Sequence, residues 1–471
     1  MYEMIRNMRY PTWNNQVFLL HMGVVLMCWT FYYKLPWISG VLVSPYLIFL
    51  IIKPRQEYLI PLILHTWYGS QQRYFILAVC FLYALFHYRQ MQTLGVQILF
   101  SIYLLFIPFF IWYTCARISA FHSFLTGGIY EGISYYFSFA PFFWAALSFR
   151  HIDKHVYRWL MFVSFLIVLK EFVSHGSEDN ASLSGISIFG YILTYTRFHS
   201  WGSVYMVVAC FWAFVTKQST QVKMISAFAA LLFVLGFFHI GRTLIPFHLA
   251  GAAALGAFII LCGRYSRRYP VIFHPWIFLI VATFSVFLAI ERFEKRKADF
   301  ERVNYNKIRI HNMDDFILRL ENKLYADRAP LWAASKDAVR QQIAKSWFFV
   351  NPHGVVGEIM RDDGYLVGID MQAHNMFLEL LRLYGIFGGG GLLLTFYLLV
   401  GLKRMRNSAI NLKSPCAPIA AAAIGHIVFG YWGGQYLLTP TFSFTLYALI
   451  GICYRNQFED ERPQINVRGW T

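Results

Sequence analysis

The sequence predicts an all-α, polytopic integral membrane protein, and three observations carry that prediction. Of the 471 residues, 58% are hydrophobic and only 14% are charged, against roughly a quarter charged in an ordinary soluble domain. Apolar runs near or above bilayer-spanning length recur from one end to the other. Basic residues collect in every second loop between those runs, the asymmetry that orients membrane helices. A soluble globular fold and a secreted disulfide scaffold are thereby excluded. The formal charge of +17, from 41 basic and 24 acidic residues, does not point to nucleic acid, because no soluble basic domain is available to hold it.

In chain order the apolar runs cover 16–33, 36–52, 57–70, 74–88, 94–116, 131–149, 157–173, 200–217, 224–240, 243–263, 272–291, 383–402, 416–434 and 438–454. Helices are expected, because a backbone facing lipid must satisfy its own hydrogen bonds. The third and fourth runs are short for a crossing, so about 12 to 14 spans are expected. The first run follows Arg6 and Arg9 without a small-residue cleavage site and reads as an uncleaved helix. Cys28, Cys80, Cys115, Cys210, Cys262, Cys416 and Cys453 lie inside or at the ends of apolar runs and form no CxxC pair. They read as buried small hydrophobes.

One face collects Arg150, Lys154 and Arg158, then Lys217 and Lys223, then Arg264, Arg267 and Arg268. Lys403, Arg404, Arg406 and Lys413 follow, and then the tail with Arg455, Arg462 and Arg468. This face is expected to be cytoplasmic, with both termini on it. The division that follows is transmembrane helices over 1–291, a large outer loop over 292–373, C-terminal helices over 374–454 and a tail over 455–471. Residues 291–373 hold 14 basic and 13 acidic side chains, so charge does not decide the side on which the loop sits. The loop contains helix-like stretches such as Leu331 to Ile343, with apolar positions at three- and four-residue spacing.

Three features converge on the outer face. Arg242 occupies the turn Gly241-Arg242-Thr243 between two apolar helices. It reads either as a snorkelling side chain or as a phosphate clamp, to which the planar guanidinium fork is suited. Arg197 precedes a span on the same side, and topology puts it near Arg242. Lys34, Arg73, Arg117, Lys170 and Arg382 are the other basic residues near this face, read mainly as headgroup anchors. His374 stands where the loop returns to the membrane, within Ala373-His374-Asn375-Met376-Phe377-Leu378-Glu379. There it is a candidate base or hydrogen-bond donor. Glu379, five residues on, lies off the His374 face and is expected to orient a neighbour. Gly388 to Gly391 permit close helix packing. The pairs Asp314-Asp315 and Asp362-Asp363 offer oxygen ligands for a divalent cation, but read as solvated loop residues, so no metal is expected.

The segment His374, Asn375, Leu378, Leu381, Gly385, Gly388 resembles the O-antigen ligase and polymerase family of bacterial membrane glycosyltransferases. Asp327-Arg328-Ala329-Pro330-Leu331-Trp332 is similar to that family's Arg-x-x-Leu-Trp, and Gly241-Arg242-Thr243 to its Ser/Gly-Arg-Thr at the outer end of a helix. The likeness covers about 185–400. It departs around Arg197, where Phe198-His199-Ser200-Trp201-Gly202 replaces the usual Gly-Thr-Phe and Pro-Asn stretch, and at Asn351-Pro352-His353-Gly354, which only approximates a Gly-x-Gly.

The resemblance implies a GT-C-like architecture and a cofactor-free, metal-independent inverting transfer. A glycan would pass from an undecaprenyl-diphosphate carrier to an acceptor hydroxyl on the periplasmic side of the bacterial inner membrane. It implies His374 and Arg242 as catalytic residues, with Arg197, Arg242 and Arg328 on the donor diphosphate, Asn375 and Glu379 supporting, and His199 and His353 as fallback bases. Arginines at the boundary would stabilise the charge developing on the leaving diphosphate. The implied partners are the carrier-linked donor, a lipid A-core or glycan acceptor, and membrane lipid, without nucleic acid. Ligase is the preferred reading, polymerase of the same family the alternative. A lipid-linked glycan flippase or transporter is the rival from another class, and would be expected to place functional charges near mid-membrane.

Overall fold

The computed structural model describes residues 13–34, 36–68, 70–108, 136–150, 375–400 and 440–460, together with short pieces including parts of 155–162, 284–295, 332–340, 358–360 and 366–368. They are mostly helical. In order these are α1 (Asn15–Lys34), α2 (Pro36–Ile52), α3 (Gln56–Tyr68), α4 (Ser70–Phe86), α5 (Tyr88–Leu94), α6 (Gln97–Leu104), α7 (Ala140–Ser148), strands β1 (Glu358–Met360) and β2 (Leu366–Gly368), α8 (Met376–Val400) and α9 (Pro440–Asp460). The expected spans 200–217, 224–240, 243–263, 272–291 and 416–434 lie almost wholly outside the described residues.

The first four helices follow the apolar runs closely, and their ends have local causes. Asn14 caps α1: its Oδ1 accepts from the amides of Gln16 at 2.9 Å and Val17 at 3.2 Å, satisfying donors that a helix start leaves open. Pro45 in α2 and Pro61 in α3 each remove one ladder donor. The expected break at 71–73 falls instead between Tyr68 and Ser70, which puts Arg73 in the first turn of α4 rather than in a loop. Its guanidinium lies 5.0 Å from the centre of the Tyr74 ring.

The run 94–116 is not one helix. Gly95 has φ +70°, a left-handed backbone that strains any side-chain-bearing residue. Its amide bonds Gln92 O at 3.1 Å and that of Val96 bonds Met91 O at 3.2 Å, the paired closure that ends a helix at glycine.

The core is centred on α7, where every residue from Ala140 to Ala146 is buried. Trp144 donates from Nε1 to Ile51 O at 3.0 Å, tying α7 to the end of α2. Helix α9 packs along α7 and against α3 and α4, so the C-terminal helix closes the N-terminal bundle. Gly451 makes that approach possible, because a Cβ there would strike the Phe142 carbonyl. At the far end the Tyr454 hydroxyl donates to Leu94 O at 3.0 Å, locking α9 onto the Gly95 turn. Between them Tyr103 and Tyr136 stack at 4.8 Å, each hydroxyl donating to the other's carbonyl.

In the segment 292–373, expected to be partly helical, the described positions of 332–340 are helical, and β1 and β2 add a short antiparallel pair, with Glu358 opposite Gly368 and Met360 opposite Leu366. The described residues are largely helical, in keeping with the all-α expectation, and among them no helix is long and apolar enough to cross a membrane.

Candidate functional site

Of the six residues expected at the site, the structure describes Asn375 and Glu379. His374, Arg242, Arg197 and Arg328 lie outside the described residues, as do His199, His353 and both Asp pairs.

Asn375 has a specific job. Its Oδ1 accepts from the amides of Phe377 at 3.0 Å and Leu378 at 3.1 Å, and its carbonyl takes the amide of Glu379 at 2.9 Å. It is therefore the N-cap of α8 and is fully buried. The cap starts the helix at Met376, seven residues before the apolar run at 383. His374 immediately precedes the cap, so Asn375 sets where the chain leaves that residue and becomes helical. Glu379 follows in the first turn, buried to 3% exposure. A carboxylate there is favoured by the partial positive charge of the helix start.

Helix α8 does not run straight. At Gly385 the backbone turns to φ +72°, ψ −177°, a break inside 25 otherwise helical residues. The two arms fold onto each other: a Cβ at Gly389 would strike the carbonyl of Leu380. In an unbroken helix those residues stand about 13 Å apart along the axis. Gly391 in turn lies against the Phe106 ring, where α8 meets the end of α6. The glycine run thus serves close packing at Gly389 and Gly391, whereas at Gly390 there is open space.

A second polar site lies apart from the three features singled out in the sequence. His21 of α1, Tyr46 of α2, Glu57, Tyr58 and His65 of α3 and Gln72 of α4 meet inside the bundle. Nδ1 of His21 and the Tyr46 hydroxyl share a hydrogen bond of 2.7 Å. The His21 ring also meets Tyr58 edge-on at 4.5 Å. Tyr46 meets His65 edge-on at 5.8 Å between ring centres, and His65 lies against Gln72. At the other end Glu57, 2% exposed, accepts from the Asn14 amide at 2.9 Å and from Arg55 Nη2 at 3.2 Å. The available signal was the presence of His21, Glu57 and His65 within apolar runs, where ionisable groups are costly and functional by default. Mean hydropathy over a window hides such single positions.

Compared with known proteins, the chain matches no family model, no curated protein and no solved structure.

Proposed function

We propose that the chain is a polytopic inner-membrane glycosyltransferase that moves a glycan from an undecaprenyl-diphosphate carrier to an acceptor hydroxyl on the periplasmic side, with O-antigen ligation as the reaction. The observation that carries this reading is the ordered set Gly241-Arg242-Thr243, Arg328 to Trp332, and His374-Asn375 through Gly388 in one chain. The cap at Asn375 supports it, because the residue that follows His374 in the family-like segment is the one that starts helix α8. Arg242, with Arg197 and Arg328, would hold the diphosphate and stabilise the charge it gains as the sugar C1–O bond breaks. His374 would take the acceptor proton or position the hydroxyl.

Support for the membrane setting comes from an inverted distribution of polarity. On α1 the outward positions Leu19, Leu20, Leu26 and Met27 repeat with helical period, Leu20 being 65% exposed, while His21 is buried. Phe86 at 82% and Ile98 at 77% continue the apolar exterior. Water-soluble bundles do the reverse; lipid accommodates this arrangement.

The decisive experiment uses purified protein in detergent with carrier-linked donor and lipid A-core acceptor. Covalent transfer, lost in Arg242→Ala and His374→Ala, is the expected result. Absence of transfer with any acceptor removes the enzyme reading in favour of transport. In cells, loss of a ligase leaves carrier-linked polymer, whereas loss of a polymerase leaves single capped repeats.

A further inference from the structure

The internal track has features that glycan transfer does not use. It runs along α3, from Glu57 to His65, eight residues or about 12 Å of helix. Each of the four N-terminal helices contributes to it. The end at Glu57 is paired with Arg55, on the side where Lys53 and Arg55 join α2 to α3. The end at Gln72 lies in the first turn of α4, on the opposite side of the bundle.

At the Gln72 end, polar groups are buried without being satisfied. His65 is 0% exposed and Gln72 is 4% exposed. The His65 ring and the Gln72 amide are neighbours, but neither ring nitrogen and neither amide atom makes a well-aligned hydrogen bond among the described residues. Native interiors rarely leave such atoms unpaired, because each costs its full desolvation. A small neutral guest that both donates and accepts satisfies them, and water is the smallest. A metal ion is a poorer fit, since among the described residues no third metal-binding side chain joins a histidine here.

We propose that the His21–Tyr46–His65–Gln72 track is a proton-conducting path through the helix bundle, completed by water bound at His65 and Gln72. This inference rests on the membrane setting proposed above and is independent of the transfer chemistry. A proton taken up at Nε2 of His21 is matched by release of the Nδ1 proton to the Tyr46 oxygen. Tyr46 in the same exchange gives its own hydroxyl proton, through water, to the His65 ring. His65 takes it on one nitrogen and releases the proton of the other toward the water at Gln72. Each hop breaks one N–H or O–H bond and makes one. No electron moves, and every group returns to its neutral form.

The test is the full chain reconstituted into phospholipid vesicles containing a trapped pH-sensitive dye, with a pH gradient imposed and potassium plus valinomycin clamping the potential. The expected result is proton flux above that of protein-free vesicles, reduced about tenfold or more in Tyr46→Phe and in His65→Phe. Tyr46→Phe removes only an oxygen atom and keeps the ring contacts, so its loss of flux is not a loss of fold. Glycan transfer is expected to persist in both variants. A chain that inserts but carries no protons, or variants that conduct as well as the parent, overturn the inference alone. A chain that does not insert overturns the membrane setting and the path with it.

Discussion

The two polar regions of this molecule are built on opposite plans. At the start of α8 the polar groups sit at a chain terminus of a helix: Asn375 spends its side chain on two backbone amides, and the glycines beyond it bring backbone against backbone at Leu380. In the N-terminal bundle His21, Tyr46 and His65 sit within helices and meet ring to ring, His21 bonding to Tyr46 at 2.7 Å and Tyr46 lying edge-on to His65. The first plan makes geometry: it fixes where a chain turns and which residue stands at the turn. The second makes continuity, since each ring meets the next across a helix interface. A site for chemistry on a bound substrate suits the first plan, and a path for a small mobile species suits the second.

The largest effect is expected where the contrast is sharpest. His374→Ala and Arg242→Ala should each lower glycan transfer about a hundredfold or more, with unchanged amounts of inserted protein. Retention of parental activity in both would break the assignment of chemistry to the α8 end. Next in size is Gly389→Ala, which drives a methyl group into the Leu380 carbonyl, a backbone atom that cannot rotate away. A loss of about 3 kcal/mol is expected, read as a lower midpoint of thermal unfolding in detergent. Gly390→Ala, with open space around it, is the matched control and should be nearly silent.

Smaller still is Asn375→Ala. Removing the cap should cost about 1 kcal/mol and lower transfer by loosening the chain at His374, and Asn375→Asp should restore both, since a carboxylate caps as well. Failure of the aspartate to rescue would show that the amide does more than cap. Tyr454→Phe comes last. It deletes the hydrogen bond to Leu94 O in the bundle and should cost about 1 kcal/mol without altering transfer, which unfolding and activity measured side by side would check.

How much of this was legible in the sequence depended on the physical origin of each feature. Ends set by apolar length were read within one or two residues: 16–33 became Asn15–Lys34, 36–52 became Pro36–Ile52, and the start at 438 became Pro440. Ends set by local chemistry were missed. Hydropathy runs through Gly95 without noticing that its positive φ closes a helix, and it begins α8 at 383 because Glu379 and Arg382 depress the average over two turns that Asn375 nonetheless starts. Within the site, the cap role of Asn375 was available from its residue type, whereas the His21–Tyr46–His65 sequence of contacts was not. Those residues are 25 and 19 positions apart, and only the packing of α1, α2 and α3 brings them together.

The break at Gly385 also sets how far α8 can reach. Twenty-five helical residues laid straight would extend about 37 Å, more than the hydrocarbon thickness of a bilayer. Folded at Gly385, the longer arm from Ile386 to Val400 extends only about 22 Å, and the shorter arm doubles back beside it. The break therefore brings Leu380 to the level of Gly389, where a straight helix would hold the two about 13 Å apart along its axis. Reach along the helix axis, as much as direction, is what this one glycine specifies.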